Sequence, residues 1–172
     1  CNICVTGDFT MSPIRCTQNP TMGEEWRRGW HPERIRPAGN VKNILVVGAG
    51  PAGLEAARAL GTRGHKVTLA DARSEAGGRV ALECRLPGLA AWGRVRDWRL
   101  LQIAKLPDVQ LYLESQMTPD TLAEFEADHV VLATGSSWRR DGVARHHTRP
   151  IPIAGNADVL TPDDILDGKR PK

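Results

Sequence analysis

No stretch of this sequence is apolar for anything near the roughly 20 residues needed to cross a bilayer. The longest such run, Ile44 to Val47, passes straight into glycines and alanines. A soluble protein without a membrane partner is expected. An excess of one charge is missing too: 23 Lys and Arg stand intermixed with 20 Asp and Glu, for a net charge of +3. Without a basic stripe there is no electrostatic footprint for nucleic acid, and none is expected as a partner. Internal repeats and low-complexity tracts are also lacking. No initiator methionine and no charged-then-apolar signal segment open the chain, which starts Cys1-Asn2-Ile3-Cys4, so an internal piece of a longer protein is expected.

Cysteine is scarce and lopsided. Three of the four, Cys1, Cys4 and Cys16, crowd the start, and Cys84 stands alone. That asymmetry suits a metal site better than a disulfide framework, and it favours a reducing compartment, most simply the cytoplasm. What is present is the balance of a globular protein, 41% hydrophobic and 25% charged over 172 residues, enough for one core.

Residues 1–40 contain Pro13, Pro20, Pro32 and Pro37 with no sustained apolar period, so this segment reads as an arm of loop and short helical turns. From Val41 the pattern changes. Lys42 to Val47 is β-branched and apolar, as in a buried parallel strand; Ala52 to about Arg63 carries Leu54, Ala57 and Leu60 at helical spacing; Gly64 stands where a helix end wants a left-handed residue. Lys66 to Ala70 is a second strand. Strand, glycine turn, helix and strand in about thirty residues make a βαβ unit with parallel strands. Further expectations are a helix from Trp92 to about Lys105, a strand over Val109 to Leu113 and a short helix or turn over Thr121 to Ala127. A buried strand from His129 then ends in Ala133-Thr134-Gly135, and a capped helix starts near Thr161-Pro162. An α/β chain with a parallel central sheet follows.

Gly48-Ala49-Gly50-Pro51-Ala52-Gly53 matches G-x-G-x-x-G between the first strand and the first helix, and Asp71 closes the second strand. Gly48 permits the tight turn, Gly50 lets a pyrophosphate approach the backbone, and Gly53 lets the helix lie close to the strand. The free N–H groups at the helix start hold phosphate. Asp71 accepts hydrogen bonds from ribose hydroxyls and repels a 2′-phosphate, which favours ADP, FAD or NAD over NADP. Pro51, Ala52, Ala72 and Arg73 flank these positions, with Arg73 able to reach a 2′-phosphate if the loop turned that way. Gly77-Gly78-Arg79 and Ala133-Thr134-Gly135 are the further backbone expected beside a nucleotide.

Together with Cys1-Asn2-Ile3-Cys4, Cys16-Thr17-Gln18-Asn19-Pro20 and Gly23-Glu24-Glu25-Trp26-Arg27-Arg28-Gly29-Trp30-His31-Pro32-Glu33, this unit resembles the trimethylamine dehydrogenase family over nearly the whole chain. Leu86 to Trp92, Arg96-Asp97-Trp98-Arg99 and Ala133 to Trp138 lean to its amine-dehydrogenase branch. The resemblance implies a Rossmann-like FAD/NAD(P)-binding domain with a parallel central sheet over residues 41–160, preceded by an irregular iron–sulfur cluster arm over 1–40 and followed at 161–172 by the connection to a further nucleotide-binding-like domain. It implies FMN in a TIM barrel outside this chain, ADP or FAD here, and a homo-oligomer when intact. It also implies oxidation of a small amine, with electrons passing through a [4Fe-4S] cluster to an electron-transfer flavoprotein. In that branch the ADP is structural, and no catalytic residue falls in this chain. A dienoyl-CoA or enoate-type reductase using FAD and NAD(P)H is the alternative enzyme, and a non-catalytic nucleotide-binding module the alternative of another class.

Spacing alone leaves two metal readings open: an iron–sulfur cluster, or zinc held by Cys1, Cys4, Cys16 and His31. By the resemblance, Cys1, Cys4 and Cys16 are the second, third and fourth cluster ligands. Cys84, His31, His146 and His147 read as non-catalytic, Trp92 and Trp98 as packing residues, and Arg139-Arg140 as solvated surface. A minority reading has an exposed tryptophan dock the electron acceptor. The coding sequence upstream of Cys1 is expected to show a cysteine three residues before it and a TIM-barrel pattern before that; an upstream sequence with neither would remove the cluster reading.

Overall fold

The computed structural model describes residues 3–24, 34–144 and 147–170, apart from the Thr6 side chain, and divides into two compact units, residues 1–135 and 136–172. In the first unit the run Ile44–Val47 is buried throughout, and its alternate side chains serve two different cores. Ile44 and Val46 face one side with Leu54, Ala57, Val67, Leu69, Ile103 and Val109; Leu45 and Val47 face the other with Ala70 and the partly buried Met117, Leu122 and Ala127. That is the period of two expected of a strand covered on both faces.

This strand, β1 (Asn43–Val47), is central in a four-stranded parallel sheet with β2 (Lys66–Ala70), β3 (Val109–Tyr112) and β4 (His129–Leu132), in the order β3-β2-β1-β4. Register runs Ile44 to Val67 on one side and Ile44 to His129 on the other. The chain therefore moves outward from β1 through β2 to β3 and then crosses back to β4 beside β1. The expected α/β Rossmann-like fold with a parallel central sheet is borne out.

Among the described residues the helices are α1 (Ile3–Phe9), α2 (Pro51–Thr62), α3 (Arg79–Glu83), α4 (Gly93–Ile103), α5 (Pro119–Glu124) and α6 (Pro162–Leu166), with a 3-10 turn at Ala90–Trp92 leading into α4. Helix α2 starts on Pro51, whose fixed φ suits a first turn, and is followed by Gly64 at φ +89. Thr118 caps α5 and Thr161 caps α6, each through a reciprocal capping box. The arm holds α1 and turns, as its prolines suggest.

Two features depart from the sequence reading. Helix α3 occupies five residues where no element was expected, because a single turn after Gly77-Gly78 leaves no periodic pattern to read. Strand β4 was expected to be buried, yet Val130 is exposed and Leu132 is 69% exposed. It is an edge strand pairing only with β1 among the described residues, and an apolar run reads alike whether or not anything covers it.

A buried ion pair joins α2 to α4. Arg99 is only 3% exposed; its Nε donates to Glu55 Oε2 at 2.8 Å and its Nη1 to the Val95 carbonyl at 2.8 Å. Arg58 donates to the same carboxylate, at 2.5 Å from Nη2 to Oε1. Both guanidinium groups approach the Trp98 ring, at 5.3 Å for Arg58 and 5.8 Å for Arg99. Trp98 therefore packs against charge with 45% of its surface still exposed.

In the second unit Asp164, at the start of α6, is buried. It accepts from Arg140 Nη2 at 2.7 Å, from Lys169 Nζ at 2.6 Å and from the Thr161 N–H and hydroxyl, each at 2.8 Å. Arg140, then Lys169, then Thr161 hold its carboxyl far below the ordinary carboxylate range. Arg140 also donates to the Val159 carbonyl, and Arg139 pairs with Asp141. Both arginines are exposed, as expected of solvated surface, and Arg140 in addition holds the buried Asp164 carboxylate.

Removing the Glu55 carboxylate leaves Arg99 buried without its counter-charge. Glu55→Ala is expected to cost about 3 kcal/mol of local stability. Arg58→Ala, which leaves the buried pair intact, is expected to cost about 0.5 kcal/mol. The check is hydrogen-exchange protection of α2 and α4 in the intact protein.

Candidate functional site

Three connections converge at the carboxyl ends of β1, β2 and β4. Because the chain leaves β1 toward β2 on one side and crosses back from β3 to β4 on the other, this end of β1 is the topological switch point, where open parallel sheets bind ligands. The glycine turn lies there. Gly48 has φ +102, and a Cβ on it would stand 2.4 Å from the Ala133 carbonyl oxygen; a Cβ on Gly53 would stand 1.8 Å from the Gly48 carbonyl oxygen. Neither position admits a side chain, so the start of α2 is pressed against the end of β1.

Gly50 differs. Its φ is −71°, which any residue adopts, and a Cβ there would meet nothing within 4 Å. Its missing side chain is explained neither by backbone strain nor by a protein neighbour. No side chain caps the start of α2 either, so the first-turn N–H groups of a twelve-residue helix are left uncapped by the protein. Open space beside an uncapped helix start fits an anion.

Asp71 follows β2 and is half-buried. Its Oδ2 accepts the Ala49 N–H at 2.6 Å and its Oδ1 accepts the Arg73 N–H at 2.8 Å. The carboxylate thus fixes the glycine turn to the loop after β2. Each oxygen keeps a second lone pair, which suits the ribose hydroxyls assigned to it from the sequence. Ala72 and the Arg73 side chain are exposed in the same loop.

The loop continues to Gly77, whose N–H donates to the Ala49 carbonyl at 2.7 Å, and to Gly78, at φ +56, whose Cβ position lies 3.1 Å from Gly50 Cα. Arg79 pairs along α3 with Glu83 at 4.0 Å. Ala133 closes the site from the β4 side: its N–H donates to the Val47 carbonyl at 2.8 Å, and the Thr134 Cα lies 3.2 Å from the Gly48 Cβ position. Gly135 is exposed at φ +77 with nothing near it. The expected residues Gly48, Gly50, Pro51, Ala52, Gly53, Asp71, Gly77, Gly78, Ala133 and Thr134 are therefore brought to one place.

Sequence reasoning missed the residues that hold this place together. Ala49 uses both its N–H and its carbonyl as a hub, which no side chain advertises. Glu75 and Arg96 brace the loop from behind, Nη1 to Oε1 at 2.6 Å, although 21 positions separate them. A hydrogen bond to Asp97, aided by the charges of Asp97 and Glu75, raises the Arg96 pKa.

The matching family model covers residues 42–163, from β1 to the start of α6, and is that of pyridine nucleotide-disulphide oxidoreductases. The chain belongs to this family. Among solved structures, histamine dehydrogenase from Rhizobium sp. 4-9 is 58% identical with a TM-score of 0.90, and 6-hydroxypseudooxynicotine amine oxidase from Pseudomonas geniculata N1 is 55% identical with a TM-score of 0.91. Each is matched over 99% of this chain and 26% of its own length. Dimethylamine dehydrogenase from Hyphomicrobium sp. (strain x) is 43% identical over 99% of this chain and 24% of its own. The resemblance to the trimethylamine dehydrogenase family is thereby borne out, and the chain spans about a quarter of the length of these relatives.

The cysteine arm of this chain is described in part. Cys1 and His31 lie outside the described residues; Cys4 is exposed on α1, Cys16 is half-buried, and both are free thiols. Among the described residues no three His, Cys, Asp or Glu side chains gather as a metal site. Thiols suit an iron–sulfur cluster chemically, but two of them do not make a site. Cys84, also a free thiol, follows α3 and donates to the Ala81 carbonyl. No helix among the described residues is long and apolar enough to cross a membrane.

The contrast among the glycines is testable in the intact protein stripped of nucleotide. Gly50→Ala is expected to leave the unfolding midpoint unchanged while weakening ADP binding about tenfold or more, because the methyl enters only the open space. Gly53→Ala is expected to lower the midpoint as well. Calorimetric ADP titration beside thermal unfolding checks both.

Proposed function

We propose that this chain is the nucleotide-binding part of an iron–sulfur flavoprotein that oxidises a small alkylamine by N-dealkylation or deamination. The observation that supports it is the identity of 55–58% over 99% of the chain to structures of an amine dehydrogenase and an amine oxidase. The FMN of a barrel outside this chain would supply the oxidation, with a [4Fe-4S] cluster and an electron-transfer flavoprotein as onward acceptors.

The chain's own residues have binding and positioning roles. Gly50 and the N–H groups at the start of α2 face the diphosphate of ADP or FAD. Asp71 receives the ribose hydroxyls while its two backbone donors keep it oriented, and its negative charge selects against a 2′-phosphate. Gly77 and Gly78 bring bare backbone alongside. Cys1, Cys4 and Cys16 are the cluster ligands this chain would contribute. The one carboxylate in the glycine site, Asp71, is engaged by two backbone donors. The site's role is to hold a nucleotide in place, as a structural ADP requires.

The full-length protein is expected to purify with ADP and without stoichiometric FAD, and its flavin absorbance is expected to bleach on adding a small secondary or tertiary alkylamine. Stoichiometric FAD together with NADPH oxidation would overturn this in favour of the enoate-reductase alternative. A protein with no barrel and no amine-dependent bleaching would be the non-catalytic module.

A further inference from the structure

Arg96 lies on α4, 18 positions beyond Gly78, yet two kinds of contact tie it to the Gly77-Gly78 loop. Its Nη1 donates to Glu75 Oε1 at 2.6 Å and its Nε to Asp97 Oδ1 at 2.7 Å, so the guanidinium is oriented by two carboxylates. Its stem covers Gly77: a methyl there would stand 2.6 Å from Arg96 Cδ and 3.0 Å from Cγ. On its other side Gly77 donates to the Ala49 carbonyl at 2.7 Å. Gly77 is thus held between the glycine turn and the arginine stem.

A loop with two successive glycines at positive φ has more conformations to lose than any other pair of residues, so it needs restraint from outside. Helix α4 supplies it, because Arg99 on the same helix anchors α4 to α2 through Glu55. The ribose end is held by the Ala49 and Arg73 donors to Asp71, and shares only Ala49 with the Gly77 bond. Arg96 touches neither of those bonds.

We infer that Arg96 is a positioning residue for nucleotide binding: its stem on Gly77 and its guanidinium on Glu75 fix the Gly77-Gly78 backbone against Gly50, and so set affinity for the diphosphate rather than for the adenosine. This rests on the nucleotide-binding reading above. Preorganised backbone binds more tightly because the ordering cost is met before the ligand arrives.

The test titrates ADP and adenosine separately into full-length protein stripped of nucleotide, for the wild type, Arg96→Ala, Arg96→Lys and Glu75→Ala. Arg96→Ala is expected to raise the Kd for ADP about tenfold and leave that for adenosine unchanged. Arg96→Lys, which keeps the stem and one donor, is expected to recover most of the loss. Glu75→Ala, at a half-buried residue, is expected to lose about threefold for ADP alone. Equal weakening of both ligands, or unchanged ADP affinity in the variants, overturns the inference while leaving the nucleotide reading in place. A wild type that binds neither ligand removes both. Should Arg96→Ala fail to fold, Glu75→Ala decides by the same two ligands.

Discussion

Where α2 meets β1 there is no room for a single carbon atom. The Gly48 carbonyl occupies the position a Gly53 side chain would need, and the Ala133 carbonyl occupies that of Gly48. This contact sets the distance between helix and sheet, and with it the direction in which the first-turn N–H groups point. It also makes the end of β4 part of the site, since Ala133 can close on Gly48 only because β4 lies beside β1. The remaining site geometry depends on that contact: Asp71 and Gly77 both bind Ala49, the residue inside the turn it enforces.

Behind the site, α4 acts as a common brace. Arg99 and Arg96, one helical turn apart, reach in different directions, the first to Glu55 on α2 and the second to Glu75 in the loop after β2. Burial separates their energetics. Arg99 is enclosed, so its pair with Glu55 cannot be broken without leaving an uncompensated charge. Glu75 is far more exposed, so its bonds to Arg96 and Arg85 orient the loop more than they stabilise the fold. One helix thus couples the position of α2 to that of the glycine loop.

A chain spanning about a quarter of its relatives can carry a defined role without carrying the reaction. The glycine site presents backbone donors, one carboxylate and open space, and the proposed nucleotide-holding role asks for no more than these. Trp98, expected to pack, does so against Arg58 and Arg99.

Local chemistry made much of this legible. The βαβ unit could be read because a parallel strand buried on both faces is continuously apolar, and because glycine, proline and a terminal aspartate mark the turn between such strands. Every element from β1 to β3 except α3 and the 3-10 turn appeared near its expected bounds. The β4 edge was misread because apolar residues look alike whether covered or bare. The capping of α6 was visible in Thr161-Pro162, whereas its burial against Arg140 and Lys169 was not. What the sequence by itself determined is which residues lack side chains, cap helices or carry charge, since those properties belong to residues and their near neighbours. Only the tertiary structure decided that Gly50 faces open space while Gly53 faces a carbonyl, and that Arg96 braces Gly77, because those facts depend on atoms brought together from elements distant along the chain.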